Sequence, residues 1–231
     1  MKMNYFITLL FSLTFFLPAS AQSPVPIEKE PRHPLKFENQ YVRVFNVFIP
    51  AGKTTLFHIH KNDGVGVRLT DARIKDETQG GAVEEISVKR GVVSFAFRPN
   101  PLIHRVLNIG DTPFHNIFVE ILPSAKVSPD SSSDSSALTD VAGYTLVLEN
   151  ERIRVFRLVL APGQTTEFDT HKLRTLSVAV SQGKVAVEVM GKKRQKAKFK
   201  PGDTQWYESG TKHSLKNIGS TTFEAVDIEL K

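Results

Sequence analysis

The chain contains one sequence pattern twice, and this constrains its fold more than any other feature. "FENQYVRVFNVFIPAGKTTLFHIH" at 37–60 aligns with "LENERIRVFRLVLAPGQTTEFDTH" at 148–171 in a register of 111 (163 − 52). "HRVLNIGDTPFHNIFVEI" at 104–121 aligns with "HSLKNIGSTTFEAVDIEL" at 213–230 in a register of 109 (213 − 104). A repeat of this length means two copies of one structural unit, and the change of register by two residues is a loop deletion. Inside each copy, short apolar runs alternate with period two: "YVRVFNVFI", "RIRVFRLVL", "GVVSFAF", "DTQWY", "FHNIFVEI" and "FEAVDIEL". Pro-Gly, Ala-Gly, Gly-Asp and Gly-Gly turns separate them, and no amphipathic helix exceeds two turns. Many short, evenly spaced strands predict an all-β chain with a sandwich or small barrel in each half.

The repeat also divides the chain, which its length of 231 residues alone does not. Residues 35–123 and 141–231 are the two domains. Between them, 124–140 is rich in Ser and Asp and nearly free of large apolar side chains. Burial cannot offset its ordering entropy, so it reads as a linker. Residues 22–34, "QSPVPIEKEPRHP", read as a proline-rich lead-in. Residues 1–21, "MKMNYFITLLFSLTFFLPASA", carry a positive start, an apolar run and Ala19-Ser20-Ala21, the form of a secretory signal peptide. The expected location is therefore periplasmic or secreted, with no stable membrane insertion after cleavage.

Export agrees with the absence of cysteine. That absence also removes thiolate nucleophiles, zinc–thiolate sites and iron–sulfur clusters, leaving histidine and carboxylates as metal ligands. The formal charge of +6 falls to +5 once Lys2 leaves (6 − 1). Much of the excess lies at Lys196, Lys198 and Lys200, whose alternation suits the solvent face of an edge strand guarded against aggregation. No nucleic-acid motif accompanies the charge. A small-molecule ligand is the expected partner, and a homo-oligomer is left open.

His58 and His60 stand one residue apart in "FHIH", so on a strand both point to one face, and a barrel would aim them inward. A third ligand would have to come from a neighbouring strand. "RPNPLIHRVLN" resembles the second motif of the cupins, Pro-x-Gly-x-x-His-x-x-x-Asn, with Pro99, His104 and Asn108 in place and Pro101 replacing the glycine. In the second copy Gly202, Gly210, His213 and Asn217 fit, with Glu208 replacing the proline. The first cupin motif is matched by Gly52, His58 and His60, and again by Gly163, His171 and Gly183. The chain thus resembles a secreted bicupin: two tandem cupin barrels, double-stranded β-helices of the jelly-roll kind.

The resemblance implies a metal site at His58, His60 and His104. Motif spacing puts Val65 and Leu176 where the family's glutamate would stand, so the three-His, one-Glu set is absent from both halves. Asp63 is a candidate displaced fourth ligand. Three neutral imidazoles suit Fe(II) first, with Zn, Ni, Mn or Cu also compatible. Three-histidine cupins include iron oxygenases such as cysteine dioxygenase, which implies O₂ chemistry. The second copy offers Asp169, His171 and His213, the ligand types of non-haem iron sites. Arg174 is placed to pair with Asp169, and the reading favours a structural second barrel. Alternation puts His115, whose counterpart is Glu224, on the expected inward face with Ile117, as a second-shell or substrate-facing group. His33 has no assigned role. There is no Gly-x-Ser-x-Gly elbow, phosphate loop or dinucleotide fingerprint. Two functions follow: a three-histidine, dioxygenase-like oxidoreductase acting on a small molecule in the first barrel, or a non-catalytic cupin that binds or senses a sugar or small acid.

Overall fold

The structure, a computed structural model, describes residues 23–125, 138 and 141–231. The signal peptide expected at 1–21 and most of the linker expected at 124–140 lie outside the described residues. The first half forms strands β1 (Val25–Pro26), β2 (Leu35–Glu38), β3 (Val42–Ile49), β4 (His58–His60), β5 (Gly64–Arg68), β6 (Ala72–Thr78), β7 (Val83–Val88), β8 (Val93–Ala96), β9 (Leu102–Asn108) and β10 (Phe114–Ile121). The second forms β11 (Tyr144–Glu149), β12 (Ile153–Leu160), β13 (Asp169–Thr170), β14 (Arg174–Ala179), β15 (Gly183–Val189), β16 (Gln195–Phe199), β17 (Thr204–Tyr207), β18 (Lys212–Asn217) and β19 (Phe223–Leu230).

Each half is a barrel of two sheets. In the first, a histidine sheet runs β1-β4-β9-β6-β7 and a second sheet runs β2-β3-β10-β5-β8. In the second half the corresponding orders are β13-β18-β15-β16 and β11-β12-β19-β14-β17. The two five-stranded sheets built around β10 and β19 face each other. Ile117, Val119 and Ile121 of β10 share one apolar cluster with Val155 of β12, Leu176 of β14 and Ile228 of β19. Each of these two sheets is therefore covered on both faces, which is why β10 and β19 are buried at seven of their eight positions, polar residues included. The opposite faces line the lumens: Phe45, Val47, Ile74, Phe114 and Phe118 in the first barrel, Phe156, Leu158, Leu215 and Phe223 in the second. The lysine-rich β16 is an edge strand paired only with β15, as its alternation indicated.

Much of what the two copies share serves the backbone. Asn108 donates from Nδ2 to the Ile49 and Thr112 carbonyls and accepts from Gly110 N–H. Asn217 does the same with Leu160, Thr221 and Gly219. Thr55 and Thr166 each accept a backbone N–H from the histidine-bearing strand, from Val106 and Leu215. Gly52 and Gly163 take positive φ (69° and 81°) at the turn before those threonines, a conformation costly for other residues.

Two expectations about segment ends are corrected. The lead-in is part of the first barrel: β1 pairs in parallel with β4, Val25 opposite His58, and Ile27 is buried in the core. Glu30 then accepts the backbone N–H groups of Arg32 and Leu56, fastening the segment. The linker's ends are likewise anchored, because Ala125 joins the cluster between the barrels and Leu138 is wholly buried in the second core. Small apolar residues at the margins of a polar stretch found cores that composition does not show.

Polar contacts ring the seam between the barrels. Arg152 pairs with Asp63 at 2.9 Å, Arg90 with Glu224 at 3.2 Å, and Arg157 donates to the Gly91 carbonyl at 2.5 Å. Trp206 stacks on Tyr41 and Phe37 at 6.1 Å each. A shared apolar seam of this kind should hold the halves together without a covalent link. A chain cut at a protease site inserted after Ser132 should elute as one particle in native gel filtration and separate only in denaturant. Arg152→Ala, which leaves the buried Asp63 carboxylate short of its cation, should cost about 2–3 kcal/mol in urea unfolding, below the ~3–5 kcal/mol of a fully buried pair because Arg152 is partly exposed.

Candidate metal centre

The antiparallel register of β4 with β9 places His58 opposite His104, while His60 shares the face of His58. The three rings converge: His58 and His60 bring their Nε2 atoms to 3.1 Å, and the His104 ring lies 4.6 Å and 5.0 Å from the other two, centroid to centroid. One ligand atom from each residue lies within 4.8 Å of the others, and all three residues are buried. His58 Nδ1 donates to the Leu56 carbonyl at 3.0 Å, which leaves Nε2 unprotonated and pointing at its neighbours. His104 Nδ1 donates to Asp76 at 2.7 Å, and its Nε2 is buried with no hydrogen-bond partner. A carboxylate behind a ligating imidazole is the usual device for orienting the ring and raising its basicity. Burial first, then the proximity of His104, lowers the His58 pKa to about 4, and the same causes hold His60 well below the ordinary histidine value. Both imidazoles are thus neutral at pH 7, the form that binds metal. Orphaned, converging nitrogens of this kind fit a divalent transition metal.

His33, which the sequence left without a role, is the residue that reasoning missed. The lead-in brings its ring to 4.6 Å from His58, buried on the wall of the same cavity, with Nδ1 unpartnered. No spacing rule reaches it, because the lead-in precedes the first copy and has no counterpart in the second. The buried Ile27 in an otherwise polar stretch is the one signal that could have marked this segment as packed.

Three expectations for the first barrel are corrected. Asp63 is not beside the triad: its oxygens accept from Arg98 N–H at 2.7 Å and from Arg152 at 2.9 Å. Val65 points into the seam, and the residue of β5 that faces the lumen is Gly64, where a Cβ would lie 2.3 Å from the Phe118 ring. Phe118 meets His60 edge-on at 4.7 Å and occupies the space a fourth side chain would need. His115 is also on the other face. Phe114, Asn116 and Phe118 of β10 line the cavity, whereas His115 donates to Asn46 at 2.7 Å and packs edge-on against Phe48. Alternation identified its neighbours correctly but assigned the apolar set to the wrong side, because the seam is as apolar as the lumen. Its counterpart Glu224 pairs across the seam with Arg90.

The cavity beside the triad measures about 140 Å³. Drug-sized ligands occupy roughly 300–1,000 Å³, so this one suits a compact molecule. The second lumen is divided differently, with a cavity of about 20 Å³ on one side of Tyr207 and another of about 210 Å³ lined by Val187, Ala197 and Tyr207 itself. Strand register explains the difference: Tyr207 opposes Thr175 where Ala96 opposes Gly64 in the first barrel. Its phenol ring stacks on His171 at 4.7 Å and an interplanar angle of 17°.

Asp169, His171 and His213 nevertheless converge, each offering a ligand atom within 4.8 Å of the others. The His171 and His213 Nε2 atoms are 2.8 Å apart, and Asp169 lies 3.5 Å from His213. Arg174 does not pair with Asp169; it lies over the Tyr41 ring at 4.2 Å and 3.7 Å from Glu208. Burial, then Asp227 and Glu229, raises the Asp169 pKa to about 7, and burial raises that of Asp227, which accepts from the Tyr144 hydroxyl, to about 6.

A buried acid whose folded pKa exceeds its unfolded value stabilises the fold at low pH, and the contribution disappears as pH rises through the folded value. For Asp227 the window runs from about pH 4 to about pH 6. Asp227→Asn should therefore gain stability relative to wild type as pH rises across it, by on the order of 2–3 kcal/mol at pH 7.5. Urea unfolding in EDTA at pH 4.5 and 7.5 measures this.

A family model described as "Cupin domain" matches residues 156–229. No sequence among curated proteins matches the chain. Among solved structures, AerE from Microcystis aeruginosa is similar at a TM-score of 0.59 and 12% identity, over 87% of this chain and 98% of that one. Salicylate 1,2-dioxygenase from Pseudoaminobacter salicylatoxidans is similar at 0.55 and 13%, over 82% and 71%. A cupin 2 conserved barrel domain protein from Leptotrichia buccalis is similar at 0.51 and 8%, over 85% and 87%. At these identities the likeness is one of fold. The second half thus matches the cupin domain model, and over most of its length the chain has the fold of these structures, two tandem jelly-roll barrels.

Proposed function

We propose that this is an exported, metal-dependent cupin whose first barrel acts as an oxygenase on a small molecule. The observation that carries the reading is the convergence of His58, His60 and His104, the first two held as neutral imidazoles, on a cavity with room for a compact ligand. Fe(II) is the proposed ion, and bound there it would supply O₂ activation with coordination positions open to substrate. The protein's own part is positional. The Leu56 carbonyl and Asp76 hold two of the rings in the tautomers that present Nε2. Phe118, Val47, Ile74 and Val106 form an apolar wall that limits water, and the buried His33 lies on the same lining. A dioxygenase of the same fold has been solved with gentisate, a small aromatic acid, which supports a small-molecule ligand. The signal-like first 21 residues and the absence of cysteine support export to the periplasm or beyond.

The second barrel is proposed to be structural with respect to turnover, because the Tyr207 ring packs against both His171 and His213 of its ligand set. Protein purified from the periplasm should carry metal in the first barrel by elemental analysis and consume O₂ with one of a panel of small acids, thiols or diketones. His60→Ala should remove both properties. His171→Ala should leave O₂ uptake within about twofold of wild type. Tight ligand binding without O₂ uptake would instead make the protein a small-molecule-binding or sensory cupin, and equal loss of turnover in both variants would contradict the division of labour between the barrels.

A further inference from the structure

The cavity beside the triad also contains two guanidinium groups, from Arg68 and Arg98. Arg68 closes β5 on the lumen face. It donates to Asn116 Oδ1 at 2.6 Å and to Ser94 Oγ at 3.3 Å, and its guanidinium lies 5.6 Å from the Phe114 ring. All of these partners are neutral. Arg98 follows β8, tethered by its own backbone N–H to Asp63, and its side-chain Nε is buried with no hydrogen-bond partner. Neither guanidinium forms an ion pair among the described residues. The acid that lines the same cavity, Asp76, is engaged by His104. The nearby acids outside it are also engaged, Glu120 by Arg43 at 2.9 Å and Asp63 by Arg152. The lumen thus holds two cations against one carboxylate, before any metal ion is added.

A buried cation without an ion-pair partner is costly, and burial lowers the Arg68 pKa to about 10 against the opposing pull of Asp76. The fold does not require the two arginines. In the second barrel, strand register puts Ala179 at the place of Arg68, and Arg98 falls in the loop that is two residues shorter there. That barrel carries the buried acids Asp169 and Asp227 instead, at the places of His58 and Phe118. The first barrel is moreover shaped for its arginine: a Cβ on Gly66 would lie 2.3 Å from Arg68 Nη1, so the guanidinium crosses the strand only because residue 66 is glycine.

We propose that Arg68 and Arg98 form a carboxylate clamp, so that the first barrel takes a compact carboxylic acid whose acid group is held by the two guanidiniums while its other end faces His60 and His104. Guanidinium and carboxylate match as paired donors and acceptors, and exclusion of water strengthens the pair. The clamp rests on the metal-centre reading only for what the far end of the ligand meets; recognition of the acid belongs to the arginines alone.

Calorimetric titration tests this, with acetate and benzoate as probes and acetamide and benzamide as their neutral counterparts. It is run on metal-loaded and EDTA-treated protein, with metal content measured on every sample. At least one acid should bind about tenfold or more tightly than its amide, and the preference should persist without metal. Arg68→Gln and Arg98→Gln should each weaken that acid about tenfold at unchanged metal content. Gly66→Ala, which displaces the Arg68 side chain while keeping its charge, should weaken it as well. If Arg68→Gln fails to fold, Arg98→Gln at its half-exposed position carries the test. No acid binding more tightly than its amide, or wild-type affinity in Arg98→Gln, overturns the clamp. Loss of the acid preference only when metal is removed also overturns it, by assigning recognition to the ion. Absence of metal from wild-type protein that still prefers the acid would refute the metal-centre reading and leave the clamp standing.

Discussion

The packing of one barrel's sheet against the other's decides which residues look into each lumen. A strand offers its side chains to two faces in strict alternation, and in β10 and β19 both faces are buried because one lines a lumen and the other the seam. Closing the seam turns Val65, Leu176 and Ile117 away from the ligand sets and leaves Gly64, Thr175 and Asn116 facing them. It also takes up Asp63, whose carboxylate binds Arg152 of the second barrel and the Arg98 backbone of the first. The position of Arg98 beside the metal centre therefore depends on a contact between the two halves.

One scaffold supports two lumens of opposite character. The shared asparagine and threonine locks hold the histidine-bearing strands in the same way in both halves, so a converging ligand set survives in each. What differs is what surrounds the set. Ala96 and Gly64 leave space in the first barrel, and Arg68 and Arg98 charge it positively. In the second, Tyr207 stands at the place of Ala96, and burial raises the carboxyl pKa values of Asp169 and Asp227 to about 7 and about 6. Duplication kept the backbone and let the interiors diverge.

The sequence by itself determined the elements that depend on local rules. Period-two alternation marked the strands, the repeat marked the two halves, and the HxH pair marked two ligands on one face, because residues two apart on a strand share a face, while His104 joined them through the resemblance to the second cupin motif. Only the tertiary structure decided the rest. Which face of β10 lines the lumen cannot be read when both are buried and the more apolar one, Ile117, Val119 and Ile121, belongs to the seam, so His115 was placed with its true neighbours but on the wrong side. Asp63 looked free for a metal because its partner Arg152 lies 89 residues away in the chain. His33 entered the site through a parallel pairing of β1 with β4 that no turn or spacing announces. The lone positive charges of Arg68 and Arg98 became visible only once every nearby acid was seen to be engaged elsewhere, since the compensation of a buried charge is a property of space and not of sequence.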